Sequence, residues 1–121
     1  MGIVSRLIER FGSRDAEAAA DIQRASAVPD TVALADVVPR ARVRVAGVVV
    51  AVTRSLPESA PQLDIIIRDG TGAVAARFLG RREIAGVLPG RVVALEGRFG
   101  IQDGQLLTLN PAYQLVGAPP D

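Results

Sequence analysis

The hydrophobic pattern changes its period once along the chain, near Pro29. Before that point Ile3, Leu7, Ile8 and Phe11 recur at helical spacing, with Arg6 and Arg10 on the opposite side, which predicts an amphipathic helix. Gly12-Ser13 interrupts it, and Ser13 with nearby Glu17 signals the cap of a second helical stretch, Asp15 to Ala27. Pro29 ends that stretch, because a proline disfavours helical backbone in the residue before it. Val32, Leu34 and Val37 then lead to Pro39 as a short capping segment.

Beyond Pro39 the period is two. Arg42 to Val52 alternates and then runs apolar, with Gly47 inside it as the mark of a bulge or sharp bend. A loop with two prolines, residues 53–61, precedes a second strand, Gln62 to Arg68. Leu63, Ile65 and Ile67 share one face there, leaving Asp64, Ile66 and Arg68 on the other. Asp69-Gly70-Thr71-Gly72 reads as a turn into a third strand, Ala73 to Leu79, with Val74, Ala76 and Phe78 inward and Ala75, Arg77 and Leu79 outward. Residues 80–89 are not strand-like, and Arg82 to Leu88 is expected to form a short helix. A fourth strand runs from Arg91 to Phe99 with Gly97 inside it, Asp103-Gly104 is a two-residue hairpin signal, and a fifth runs from Gln105 to Asn110 before Pro111. Tyr113, Leu115 and Val116 continue along the same surface.

Five strands left as an open sandwich would expose their edges, whereas strands bent at Gly47 and Gly97 can close on themselves. The expected class is therefore all-β with a helical N-terminal extension: a five-stranded Greek-key barrel of the OB-fold type, with a short helix between strands 3 and 4. The expected division is an N-terminal extension at 1–28, a connector at 29–39, the barrel at 40–116 and a tail at 117–121.

Composition narrows the chemistry. The chain has 121 residues with no Cys and no His, which excludes disulfide frameworks, thiolate zinc sites and His-based triads. All fourteen basic residues are Arg, so the lysine of a Walker-type loop is absent. Arginine supplies forked donors that grip phosphates bidentately. Residues 40–121 carry ten Arg against seven acids, a balance of +3, and residues 1–39 four Arg against six acids, a balance of −2. The longest apolar run, Val45 to Val52, has eight residues, far short of the roughly 20 of a membrane helix. No secretory signal is evident, so a cytoplasmic location without membrane partners is expected. Asp69 and Asp103 each precede Gly in turns, where Asp is expected for backbone reasons, and the serines have no base to activate them. A catalytic role is not expected, nor a cofactor or metal.

The runs Val43 to Val49, Ile65 to Val74, Phe78-Leu79-Gly80, Leu88 to Gly97 and Leu109 to Tyr113 resemble the nucleic-acid-binding OB-fold superfamily. They look most like the wedge domain of RecG-type helicases and a group of short actinobacterial stand-alone OB-fold proteins. The likeness spans about residues 40–116 and carries no motor domain with it, so no helicase activity is implied. It implies a nucleic-acid-binding module, for single-stranded or branched DNA rather than RNA. In an OB-fold, oligonucleotides lie on the outer face of strands 2 and 3, between the loops joining strands 1–2 and 4–5. The candidate contacts are Arg42, Arg44, Arg54, Arg68, Arg77, Arg81 and Arg82. Tyr113 either stacks on a base or plugs the end of the barrel. The competing reading is a protein-interaction or oligomerisation module that uses the barrel as scaffold and residues 1–28 for docking or self-association.

Overall fold

The computed structural model describes residues 15–117. The stripe Ile3/Leu7/Ile8/Phe11, the Ser13 cap and residues 118–121 lie outside the described residues. A helix α1 (Asp15–Ser26) and a 3-10 turn (Leu34–Asp36) precede six strands: β1 (Arg42–Arg54), β2 (Gln62–Arg68), β3 (Ala73–Leu79), β4 (Val92–Gln102), β5 (Gln105–Leu109) and β6 (Ala112–Val116). The strand order is β1-β2-β3-β5-β4-β6, and an added β1–β4 pairing closes a ring of five. Every neighbour pair is antiparallel except β3–β5. β5 and β6 are one predicted path broken at Asn110-Pro111, because proline cannot donate to a ladder.

Strand parity holds. Leu63, Ile65 and Ile67 from β2, Val74, Ala76 and Phe78 from β3, and Val93, Leu95 and Phe99 from β4 fill the interior with Val45 and Val49. Leu34 and Val37 belong to the same core, so the capping segment before β1 is a lid on the barrel.

Closure depends on two glycines. β1 pairs with β4 through Val48 and with β2 from Val48 onward, so it changes neighbour immediately after Gly47. A Cβ at Gly47 would lie 2.8 Å from the Arg68 carbonyl oxygen. β4 changes neighbour at Gly97, passing from β6 at Glu96 to β5 at Phe99, and a Cβ there would lie 2.8 Å from Thr108 Oγ1. The β1 bulge itself falls three residues after Gly47, between Val49 and Ala51, and turns Val50 outward.

The expected helix between the third and fourth strands does not form. Residues 80–91 run as a series of turns, because Gly80, Gly86 and Gly90 all take positive φ (88°, 82° and 92°) and Pro89 denies a helix its last turn. Ile84 and Val87 from these turns are buried and plug the barrel where that helix was expected. Strand 4 runs three residues further than its pattern suggested, to Gln102, where Asp103 (φ 52°) and Gly104 (φ 76°) make the predicted tight hairpin.

The helix is not a free appendage in its described part. Ala25 is buried, and with Ile22 and Val28 it packs on the outward side chains Ala46, Val48, Val92 and Ala94. Asp69 ties the chain before β1 to the β2–β3 turn. Its Oδ1 accepts from Thr71 N (2.8 Å), Thr71 Oγ1 (2.7 Å) and Gly72 N (3.2 Å), and its Oδ2 accepts from Leu34 N (2.9 Å). Partial burial pushes the Asp69 carboxyl up, but the bonds from the Thr71 hydroxyl and from the backbone of Leu34, Thr71 and Gly72 outweigh it and hold it below its ordinary 3.8.

Two outcomes follow for stability. Gly47→Ala drives a methyl into backbone and should cost about 1–3 kcal/mol, a fall in melting temperature of roughly 5–20 °C. Gly97→Ala meets the fully buried side chain of Thr108 rather than backbone and should cost somewhat less; a larger loss than at Gly47 in thermal denaturation would place the main constraint in β4. Because the folded-state pKa of Asp69 is lowered, its contribution is complete above the ordinary carboxylate value and lost as pH falls through the folded one. The melting-temperature gap between the wild-type chain and Asp69→Ala should be full near neutral pH and shrink in acid.

Candidate nucleic-acid interface

The outer face of β2 and β3 is built in rows. Ala51, Ile66, Ala75 and Leu107 are register partners in turn across β1, β2, β3 and β5. They make a flat, half-buried apolar floor of small and branched side chains. The next row toward the β1–β2 loop is Thr53, Asp64, Arg77 and Leu109, and the row on the other side contains Arg68 and Ala73. Polar groups thus flank the apolar floor on the side of the β1–β2 loop, and the single arginine Arg68 flanks it on the other.

The seven candidate arginines do not share this face. Arg68 stands on it and makes no side-chain hydrogen bond or ion pair among the described residues. Arg77 stands on it too, but its Nε and Nη2 fork onto Asp64 Oδ1 and Oδ2 at 3.0 and 3.1 Å. Arg77 is held above its ordinary value by the hydrogen bond to Asp64, a gain that burial opposes and the Asp64 charge assists. Arg54, at the mouth of the barrel, lies 3.7 Å from Glu83. Arg81 is exposed just after β3. Arg82 turns inward on the β1–β2 loop, where its Nη2 donates to the carbonyls of Leu56 (3.2 Å), Pro57 (2.9 Å) and Ser59 (2.6 Å). Three acceptors on one guanidinium nitrogen make Arg82 the staple of that loop.

Arg42 and Arg44 lie elsewhere. The half of β1 that carries them pairs with β4, so Arg44 does not continue onto the face of Arg68 and Arg77. Arg42 pairs with Glu96 (2.9 Å), and Arg44 donates to Gln114 Oε1 (3.2 Å). Parity gives the face of a strand but not which neighbour it meets. Two further arginines sit with them: Arg98 is the register partner of Arg42, and the Arg40 carbonyl accepts from Arg98 Nη1 (3.0 Å). Neither was singled out from sequence, since only the β1–β4 register brings them together. Tyr113 is in phase with the buried Leu95 and meets Phe78 edge-on, with centroids 5.7 Å apart and planes at 83°. It packs there against Phe78 while leaving 41% of its surface exposed. Among the described residues no group of three or more Asp or Glu is placed to hold a metal ion.

A scan against protein-family models finds no match, and a search of curated proteins finds none either. Solved structures do match. RecG bound to a three-way DNA junction superposes with a TM-score of 0.56 at 20% identity, over 74% of this chain. The OB domain of Ta0387 from Thermoplasma acidophilum gives 0.55 at 19% identity, over 72% of this chain and 87% of that one. The fold is the OB-fold. A replication protein A heterotrimer bound to ssDNA gives 0.52 at 16% identity, over 81% of this chain and 76% of that one. This chain spans 12% of the RecG chain, so what it shares with RecG is one OB-fold domain. No helix among the described residues is long and apolar enough to cross a membrane.

The Arg82 staple is directly testable. Arg82→Lys keeps the charge but not the fork and should loosen residues 55–61 almost as much as Arg82→Ala does. Faster amide hydrogen exchange in that loop in both variants, with β2 and β3 unaffected, is the expected result.

Proposed function

We propose that this chain is a non-catalytic OB-fold module that binds single-stranded or branched DNA on the outer face of β2 and β3. The observation that carries the reading is the flat floor of Ala51, Ile66, Ala75 and Leu107, with Arg68 at one side, Arg54 at the mouth and exposed Arg81 following β3. Small side chains let bases lie close to the sheet, and Arg68 and Arg81, which make no ion pair among the described residues, take phosphates without first breaking one, whereas Arg54 must part from Glu83 to do so. The floor is aliphatic, so base contact there comes from apolar packing rather than aromatic stacking, and the electrostatic share of affinity is correspondingly large. Arg77 orders the face through Asp64 and contributes less to phosphate binding than its position suggested. Arg82 acts by shaping the β1–β2 loop.

The structures this fold resembles include RecG on a three-way DNA junction and replication protein A on ssDNA, which supports a nucleic-acid ligand. The interaction-module reading relied on residues 1–28 as the docking element. In the described part of that segment, Ile22, Ala25 and Val28 are already packed on the barrel.

Fluorescence anisotropy of labelled oligo-dT against salt tests the proposal. About three neutralised phosphates give a slope of log K against log salt of roughly −2. Arg68→Glu and, separately, Ile66→Asp should each weaken oligo-dT binding about tenfold or more; both side chains are half-buried, so melting temperatures are read alongside and only a variant that still melts cooperatively carries the result. Arg68→Glu is a cleaner probe than Arg77→Glu, which sets two carboxylates opposite each other. Binding that ignores both substitutions would remove the face from consideration.

A further inference from the structure

The two ends of the β1–β4 outer surface are built differently. One end, Ala46, Val48, Val92 and Ala94, is apolar and covered by α1. The other end carries Arg42 and Arg44 on β1 and Glu96 and Arg98 on β4, with Arg40 just before β1. Four arginines stand there with Glu96 as the only carboxylate bound to any of them among the described residues. Arg42 faces Arg98 directly in the register, an arrangement in which like charges repel.

The partners that hold these side chains show how the charge is kept available. Arg44 is positioned by the amide oxygen of Gln114 at 3.2 Å, and Arg98 by the Arg40 backbone carbonyl at 3.0 Å. Both acceptors are neutral, so they orient the guanidinium groups without cancelling their charge. Among the described residues only Arg42 is neutralised, by Glu96 at 2.9 Å. On the β2–β3 face Arg77 lies against Asp64 while Arg68 makes no ion pair among the described residues, and at the barrel mouth Arg54 lies 3.7 Å from Glu83. A shallow notch lined by Arg42, Glu96, Arg98 and Asn110 together with apolar Leu109 and Pro111 opens onto this strip where β5 breaks from β6.

We propose that Arg40, Arg42, Arg44 and Arg98 form a second phosphate-binding strip, distinct from the β2–β3 face, that takes the backbone of a nucleic-acid duplex. The inference rests on the nucleic-acid reading above and extends it: one face holds a single strand and the other an adjoining duplex arm. Duplex is the occupant because the strip offers ordered charge and no base platform. Gln114, Glu96 and Ala112 are its outward neighbours, with no aromatic among them. Interfaces with duplex backbone are polar and strongly positive, whereas a stable protein interface centres on buried apolar anchors. Side chains two apart on one strand are about 7 Å apart and neighbouring strands about 5 Å apart, so the guanidinium groups form a compact grid rather than a line.

The test compares a blunt duplex, oligo-dT and a forked DNA, using the full chain. Arg44→Gln with Arg98→Gln should weaken duplex binding about tenfold at low salt and reduce the magnitude of its salt slope by about 1.8, leaving oligo-dT affinity within about twofold. Glu96→Gln frees Arg42 and should tighten duplex binding about two- to threefold with a steeper salt slope, a gain that a merely structural role would not produce. Ile66→Asp should do the opposite of the double variant, losing oligo-dT and keeping duplex. Melting temperatures within a few degrees of the wild-type chain accompany the expected result. Unchanged duplex affinity in Arg44→Gln/Arg98→Gln, or poly-glutamate displacing the duplex as well as unlabelled DNA does, overturns the strip. If Ile66→Asp spares oligo-dT while the double variant loses duplex, the β2–β3 reading fails and the strip stands.

Discussion

The close approach of β2 to β1 at Gly47 is the constraint on which the rest of the barrel depends. The last residue of β2 crosses β1 where β1 has no side chain, and a Cβ would stand 2.8 Å from the Arg68 carbonyl oxygen. That crossing lets one long strand serve two neighbours, β4 with its first half and β2 with its second. Gly97 does the same for β4 between β6 and β5. With both strands coiled in this way the sheet closes, its edges are used up around most of the ring, and the interior takes the alternate side chains of every strand.

The same coiling distributes the surface chemistry. Because β1 swings from β4 to β2, its outward residues are dealt to different sides of the molecule. Arg42 and Arg44 go to the β4 side, under the control of Glu96 and Gln114, while Ala51 and Thr53 go to the β2–β3 face. On that face the Asp64–Arg77 fork spends one arginine on order, and the Arg82 staple spends another on the β1–β2 loop. Among the described residues Arg68 keeps no side-chain partner there, against a floor that is flat and aliphatic. The arrangement favours contacts that read phosphate and the flatness of a base over contacts that read sequence.

Loops contribute as packing as well as connection. Residues 80–91 replace an expected helix with turns, yet Ile84 and Val87 still reach the core. Asp69 gathers its own turn and the backbone of Leu34, so the lid over the barrel is held by a charge rather than by apolar contact alone. A carboxylate that accepts several bonds in a partly buried turn is a structural device, which agrees with its position before Gly70.

By itself the sequence determined the strands and which side of each faces inward. β2 and β3 have the limits that alternation predicts, and the buried set Leu63, Ile65, Ile67, Val74, Ala76 and Phe78 is the one read from parity. It also determined the Asp103-Gly104 hairpin and the break at Pro111, because turn chemistry and the missing proline donor are local properties. Tertiary structure alone decided which arginines meet. Arg42 opposite Arg98, Arg77 on Asp64 and Arg82 on the loop carbonyls join residues up to 56 positions apart in the chain, and that distance is closed only by the register of strands around the ring. Tertiary structure likewise decided that residues 80–91 fold as turns: three positive-φ glycines and the space under the barrel prevail over the helical spacing of Arg82 to Leu88. Alternation is set by the two-residue repeat of a single strand, whereas the company a side chain keeps is set by closure, a property of all five strands together.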